Sequence, residues 1–320
     1  MRHVFIINPN AGKIDVTNEI FNKLKKYNGK ITYDVYVTSK RNDAYLFTKQ
    51  FLETYDGDIR FYACGGDGTL NEVVNGAAGS SRATVACYPS GSGNDFIKVF
   101  GTIEDFTDFD DLINGTTKTI DLISVNDRYT INIANFGFDA NVAYNMAKFK
   151  NRPFSGRGAY NLAVIYSLIS KMKHRVNVTI DEKEVFSGNM LLSAVANGIC
   201  YGGGYYCSPN ALVDDGLANV TIVKSLPRTK FIKMIGKYKK GTYLEDDKIM
   251  KYVTYTTAKK IVFESSKSLI YCMDGEVESS KNIVIKVVPR ALKFVVPRKL
   301  SWQFLINSLI YYGNNLYGYK

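Results

Sequence analysis

The sequence has few of the residues that most soluble enzymes rely on. Its 320 residues include two histidines, His3 and His174. That excludes a multi-histidine metal site, and neither histidine lies near a nucleophile-elbow pattern. Five cysteines (Cys64, Cys87, Cys200, Cys207 and Cys272) are odd in number and form no CxxC pair. They predict reduced thiols in a cytoplasm rather than a disulfide framework. No window is apolar for long enough to cross a bilayer, and "MRHVFIINPNAGK" lacks the apolar core of a secretory signal. Acidic residues are also scarce: 41 Lys and Arg stand against 30 Asp and Glu, a formal charge of +11. This excess suits anionic lipid surfaces, nucleic acid or phosphorylated ligands, or it is plain solubilising charge. The basic residues read as dispersed, which argues against nucleic acid. Any chemistry then falls to carboxylates, backbone amides and lysines.

What is present is a repeated pattern in the first third. "HVFIIN" leads into "PNAGK" and a helical stretch from about Val16 to Tyr27. "DIRFYAC" leads into "GGDG" and a helix with Leu70, Val73, Val74 and Ala77 at helical spacing. "TVACYP" leads into "SGSG" and the helix start "NDFIKVFG", while "ITYDVYVT" adds a strand and residues 43–54 a helix. Strands alternating with helices predict a parallel sheet with covered faces, and right-handed crossovers bring the three glycine loops to one edge. After about residue 120 the texture changes to short β-like runs, from "TIDLISV" to "NIVIKVV", separated by turn residues, that predict an antiparallel sandwich or barrel. Two helices, 139–149 and 158–172, interrupt it, with the polar loop "FKNRPFSGRG" between them. The expected division is 1–125 plus 291–320 as one domain, with "ALKFVVP" returning as a strand, and 126–290 as the other.

Glycines where a strand turns into a helix let backbone N–H groups approach an anion, and the helix N-terminus favours negative charge. One such loop reads equally as a tight turn with positive φ. Three on one rim favour phosphate. No GxxxxGK[ST] is present, Asn71 stands where a dinucleotide fingerprint needs its third glycine, and no HRD or DFG set occurs. Polyphosphate would repel Asp67 unless that residue orders a metal ion or its waters, so the loop points to Mg²⁺ with a nucleotide. Asp95 reads first as the cap of a helix starting at Phe96.

"NPNAGK" (8–13), "GGDGTLNEVVNG" (65–76) and "YPSGSGNDFIKVFG" (88–101) resemble the signature blocks of the diacylglycerol kinase catalytic domain family, which includes bacterial soluble lipid kinases and the sphingosine and ceramide kinases. The likeness continues through "NFGFDANV" (135–142), "GGGYYCSPNALVDDGLANV" (202–220) and "MDGE" (273–276), in order along nearly the whole chain. "GGDGT" alone is weak, since NAD kinases and phosphofructokinases have similar strings. The resemblance implies a nucleotide-binding α/β domain followed by an antiparallel β-sandwich, and an ATP- and Mg²⁺-dependent lipid kinase. It implies that Asn8, Pro9, Asn10, Ala11 and Gly12, then Thr38, then Gly65, Gly66, Asp67, Gly68, Thr69, Leu70 and Asn71, and finally Ser92, grip ATP. Ser92 replaces the family's usual threonine, and either hydroxyl can donate to phosphate. Lys13 matches a basic position of the first block. A metal site is implied at the Asp215 carboxylate with the carbonyls of Leu212 and Leu217, and Glu276 matches the proton acceptor, with Asp67 as the second catalytic residue.

Read without the family, "DDG" is equally a hairpin-turn signal or a hard-cation site, and "MDGE" equally an Asp-Gly turn. Phosphoryl transfer to an alcohol nevertheless wants a base, and histidine is scarce. The tail "SWQFLINSLIYYGNNLYGYK" reads as a helix packed on the first domain, or as an interfacial membrane contact. The expectation is a cytoplasmic enzyme held peripherally at the inner face of an anionic membrane, taking ATP and a lipid acceptor but no nucleic acid. A homodimer is compatible with it. Diacylglycerol is the favoured acceptor. Phosphatidylglycerol, a sphingoid base, a polyprenol or NAD stays open, as does a non-catalytic lipid- or nucleotide-binding regulator on the same fold.

Overall fold

The apolar runs of the first third become buried parallel strands. The computed structural model describes residues 1–149 and 173–301. The expected helix over 158–172, most of the polar loop before it, and the aromatic tail from 302 lie outside the described residues. The chain divides into two units: Met1–Ile120 with the segment from Ala291, and Asp121–Arg290.

In the first unit, β1 (Arg2–Ile7), β2 (Tyr33–Val37), β3 (Ile59–Gly65) and β4 (Ala83–Pro89) pair in parallel in the order β2-β1-β3-β4. β3 and β4 are buried along their whole length. Strands covered on both faces read as continuous apolar runs, as these do. The last strand, β13 (Glu276–Val296), reaches this sheet at its far end, where Lys293 and Phe294 run parallel to Thr84 and Val85 of β4. Helices α1 (Thr17–Leu24), α2 (Asp43–Thr54) and α3 (Asp67–Ala77) follow β1, β2 and β3. Phe5 stacks on Tyr62 at 4.2 Å and meets Phe109 of α4 (Phe109–Ile113) edge-on at 5.1 Å. Truncating a fully buried aromatic such as Phe5 costs about 3–5 kcal/mol, so these rings hold the sheet that presents the loops. The segment "NDFIKVFG" does not extend into a helix. It closes as a single 3-10 turn, Phe96–Val99.

The second unit is antiparallel, as expected. Its strands are β5 (Thr116–Val125, entering from the first unit), β6 (Arg128–Thr130), β7 (Ile133–Gly137), β8 (His174–Ile180), β9 (Lys183–Ala196), β10 (Ala218–Lys224), β11 (Val253–Ala258), β12 (Lys260–Met273) and the first part of β13. The spine of this sheet runs β11-β10-β9-β7-β12-β13, with β8 bridging β9 and β12. Alternation sorts the side chains. Ala134, Phe136, Val195, Val220 and Ile222 enter one core, while Ile133, Ala194, Ala196 and Val223 enter another on the opposite face. That second core is covered by α5 (Phe138–Phe149) through Phe138 and Val142, and by α6 (Arg228–Lys240) through Phe231 and Tyr238.

Helix α6 and the short α7 (Asp247–Met250) correct the expectation of two helices in this half. Pro227 stands at the N-cap of α6 and Gly241, with φ of 74°, closes it in the left-handed conformation. Phe231, Ile235 and Tyr238 fall at the i, i+4, i+7 spacing of a buried stripe.

Candidate active site

In the first unit the three glycine loops are packed against one another. Asn8 donates through Nδ2 to Thr69 Oγ1 (2.9 Å), while its Oδ1 accepts the Asn10 N–H (3.0 Å). Ser90 N–H and Asn94 Nδ2 both donate to the Gly65 carbonyl, at 2.9 and 3.0 Å. A Cβ on Gly12 would collide with the Ser90 carbonyl, one on Gly65 with the Thr69 side chain, and one on Gly91 with the Gly66 backbone. None of these glycines has positive φ. Close approach, of loop to loop at Gly12 and Gly91 and of the Thr69 side chain at Gly65, rather than a left-handed turn, is what demands them. Gly68 differs: it is exposed, at the first turn of α3, and a Cβ there would meet nothing within 4 Å. Its bareness answers to no protein neighbour.

Asp67 takes the capping role expected of Asp95. Asp67 opens α3 half-buried, and its Oδ1 accepts the Asp95 N–H (2.7 Å) and the Phe96 N–H (3.4 Å). The carboxylate capping the Phe96–Val99 turn is therefore Asp67. Asp95 makes no side-chain cap and is instead paired with Lys98 Nζ at 2.5 Å. The physical reason is register: β3 and β4 run side by side from Ile59–Ala83 to Gly65–Pro89, which sets the start of α3 beside the third loop.

The other expected nucleotide residues lie on or beside the ends of these strands. Thr38 follows β2, buried, with its N–H on the Ile7 carbonyl (2.8 Å) and its hydroxyl donating to the same oxygen (3.3 Å). Pro9 and Ala11 are half-buried, and Asn10, Gly12, Lys13 and Ser92 are exposed. Leu70 and Asn71 are buried in α3, where the Asn71 carbonyl and Oδ1 accept from Asn75 Nδ2. Ser90 Oγ and Asn94 Oδ1 are buried with no hydrogen-bond partner, two polar atoms of this rim that sequence reading did not single out.

In the second unit, "MDGE" closes a two-residue hairpin. Asp274 and Gly275 have φ of 46° and 93°, and Met273 pairs with Glu276. Asp274 turns inward to accept the N–H groups of Ile131 (2.9 Å), Ile133 (3.1 Å) and Asn132 (3.4 Å), and burial pushes its carboxyl up despite them. It is a structural carboxylate. Glu276 begins β13 with its side chain 15 % exposed, and Arg128 of β6 grips it at 2.5 Å while its other nitrogen holds Glu278 at 2.8 Å. Arg128 escaped sequence reading because 148 residues separate it from Glu276.

The "DDG" turn precedes β10. Asp215 Oδ1 accepts the Leu217 N–H (3.0 Å), and buried Asp121 accepts the Gly216 N–H (2.7 Å) and the Arg290 N–H (2.8 Å). Asp215 is exposed as a residue, yet the turn wrapped around its carboxyl desolvates it. That, with the charges of Asp121 and Asp214, holds it above the usual carboxylate range. Concentrated negative charge among oxygen donors fits a hard cation such as Mg²⁺. Among the described residues no group of three or more His, Cys, Asp or Glu side chains is placed to hold a metal. The candidate donors are therefore one carboxylate and the carbonyls of Leu212 and Leu217. A further acid, the half-buried Asp139 at the start of α5, accepts the Tyr201 hydroxyl and is pushed up to about 6 by desolvation.

Comparison with known proteins agrees with this geometry. Residues 2–125 match the diacylglycerol kinase catalytic domain, and residues 132–296 match the YegS C-terminal NAD kinase beta sandwich-like domain. A diacylglycerol kinase of Bacillus subtilis is 30% identical over 277 residues, 85% of this chain and 88% of that protein. A diacylglycerol kinase of Mycobacterium tuberculosis is 30% identical over 241 residues, 73% of this chain and 75% of that protein. Among solved structures, a diacylglycerol kinase from Bacillus anthracis superposes with a TM-score of 0.68 at 22% identity, covering 93% of this chain and 98% of its own. An NAD kinase from Archaeoglobus fulgidus shares the fold more distantly, with a TM-score of 0.52 at 15% identity and coverage of 95% and 97%. An α/β unit carrying three interlocked glycine loops, followed by this sandwich, places the chain in the diacylglycerol kinase catalytic domain family, among the lipid kinases.

Proposed function

We propose that this chain transfers the γ-phosphate of ATP to a lipid hydroxyl, with diacylglycerol giving phosphatidic acid as the favoured pair. The observation that carries the reading is the three-loop rim. Every loop glycine but one is explained by a protein neighbour, and the exception, Gly68, sits at a helix N-terminus with open space before it. That is where a phosphate gains from bare backbone N–H groups and the helix dipole.

Asn8 to Lys13, Thr38, Gly65 to Asn71 and Ser92 are assigned to ATP. Exposed Lys13 and Ser92 supply a cation and a hydroxyl, while Asn8 and Asp67 keep the loops in register. Mg²⁺, when bound, would neutralise phosphate charge. Asp215 with the Leu212 and Leu217 carbonyls is the set that would hold one ion, and the Asp67 carboxylate would order a second. Glu276 is assigned as base. Its carboxylate takes the hydroxyl proton as the acceptor oxygen bonds to phosphorus and ADP leaves, and Arg128 fixes the orientation of that carboxylate. Peripheral attachment to an anionic membrane belongs to the same reading. No helix among the described residues is long and apolar enough to cross a membrane.

The test is purified protein with γ-labelled ATP and a panel of acceptors: diacylglycerol, phosphatidylglycerol, a sphingoid base and a polyprenol in mixed micelles, and NAD in solution. Label in phosphatidic acid supports the favoured pair. Label in NADP alone replaces the lipid acceptor with a soluble one, and ATP binding without transfer to any acceptor makes the chain a regulator.

A further inference from the structure

We propose that α6 is the element by which this chain docks onto an anionic lipid bilayer. The inference deepens the lipid-kinase reading, and rests on it for why a bilayer should be met at all. Between Asp215 and Glu245 the sequence holds no Asp or Glu. Within that stretch α6 alone carries Arg228, Lys230, Lys233, Lys237, Lys239 and Lys240. The expectation of dispersed basic charge is corrected here: six cations sit on thirteen residues of one helix.

The fold keeps those charges together. Phe231 and Tyr238 point into the core beneath, with Met234 and Ile235 packed beside them, so all six cations lie on exposed positions. A helix built only for solubility gains from acid–base pairs at i, i+4, and α6 has no acid with which to make one. Lys237 is paired from outside the helix by Asp246. Self-repulsion of this density is relieved by an extended negative surface.

Two observations favour a bilayer over nucleic acid as that surface. Ile232 is 58% exposed in the middle of the basic face, a side chain that a headgroup region can bury and a phosphodiester backbone cannot. Tyrosines flank the helix: Lys230 donates to the Tyr252 hydroxyl (2.8 Å), and Lys239 lies over the Tyr205 ring at 5.3 Å. Aromatic side chains beside lysines are the usual furniture of a membrane interface.

The experiment is sedimentation of the full chain with phosphatidylcholine vesicles, with and without phosphatidylglycerol. Wild type should bind the anionic vesicles and release with salt. At the usual worth of a lysine near a charged surface, Lys233→Gln with Lys240→Gln should weaken binding on the order of 30-fold. Lys267→Gln with Lys281→Gln, an equal charge change on exposed residues elsewhere, should leave it nearly unchanged. Ile232→Ser should weaken binding at constant charge. All the variants should keep the wild-type melting temperature, since each changes an exposed side chain. Equal loss in both lysine pairs would reduce the effect to net charge and overturn the proposal. So would an indifferent α6 pair, or an Ile232→Ser chain that binds vesicles as wild type while the lysines serve single-stranded RNA. Turnover on a detergent-dispersed lipid alcohol should be unaffected by the α6 variants, and parallel loss there would move α6 into the catalytic site. Wild type that binds vesicles through α6 but phosphorylates no acceptor would support docking and refute the kinase reading separately.

Discussion

Replacing Asp67 separates the fastening role that the structure shows for this carboxylate from the metal-ordering role proposed for it. Its Oδ1 holds the Asp95 N–H at 2.7 Å and, more loosely, the Phe96 N–H at 3.4 Å, tying the third glycine loop to the first turn of α3. Asp67→Ala strands a buried backbone donor and removes a negative charge from a helix N-terminus. The first effect costs about 1–2 kcal/mol and the second about 0.3–1 kcal/mol. A total of about 2 kcal/mol corresponds to a fall in Tm of roughly 4–8 °C for a unit of this size. Asp67→Asn keeps an acceptor oxygen on the same stem and loses only the charge, so its Tm should fall by about a quarter to a half as much. Turnover should behave differently. If the charge orders a metal ion beside the nucleotide, both variants should lose on the order of 10²–10³ in kcat at saturating ATP and Mg²⁺. Thermal unfolding by circular dichroism, set beside initial rates of phosphate transfer, reads the two roles independently. An Asp67→Asn chain with kcat within a few-fold of wild type would leave Asp67 as a loop fastener and nothing more.

Two glycine substitutions should part in the same way. Gly91→Ala drives a Cβ into the Gly66 backbone and should cost about 1–3 kcal/mol, visible as a lower Tm. Gly68→Ala meets no protein atom and improves helix propensity, so Tm should hold or rise while ATP affinity, by competition with a fluorescent nucleotide, collapses. Unchanged affinity there would remove the phosphate from α3. His3, buried beside the Tyr62 hydroxyl at 2.8 Å, has its pKa depressed by burial from 6.5 to about 4. Its contribution is then whole above pH 6.5 and lost as pH falls towards 4, because the unfolded chain binds the proton first; about 3 kcal/mol is at stake. Urea unfolding across that window should be flatter for His3→Gln, and an identical pH slope in both chains would refute the assignment. Asp215→Ala should abolish any Mg²⁺-dependent rise in Tm, and a wild type indifferent to Mg²⁺ and to chelator would remove the cation from that turn.

The parallel unit was legible because its strands are short apolar runs punctuated by glycine loops. Val4 to Ile7, Phe61 to Cys64 and Val85 to Cys87 could hardly be anything but buried strands, and the 43–54 helix falls where its spacing puts it. The meaning of the glycines was not legible. Whether Gly12 or Gly91 serves a turn or an approaching neighbour depends on which backbone lies across from it, 78 residues away for Gly12 and Ser90. The same holds for Asp67 and Asp95, two carboxylates equally suited to cap the Phe96 turn until strand pairing decides between them. Helix α6 was missed for another reason. Its flanks "NVTIVK" and "YVTYTTA" alternate so strongly that the β pattern masks the intervening "RTKFIKMIGKYKK", although Pro227 and Gly241 mark its ends. Arg128 left no local trace, since its value lies wholly in meeting Glu276 and Glu278 across the sequence.

The central claim is transfer of a γ-phosphate to a lipid hydroxyl with Glu276 as base, and one comparison tests it most directly. Wild type and Glu276→Gln are given γ-labelled ATP and micellar diacylglycerol, with nucleotide affinity measured on the same samples. Gln keeps the shape and the Arg128-facing oxygen while removing the basicity, and general-base removal is typically worth on the order of 10²–10⁴-fold. The account predicts labelled phosphatidic acid from wild type, a kcat lower by that factor in the variant, and an unchanged Kd for ATP. Equal rates in the two proteins, or a collapse of ATP affinity with kcat preserved at saturation, would contradict it.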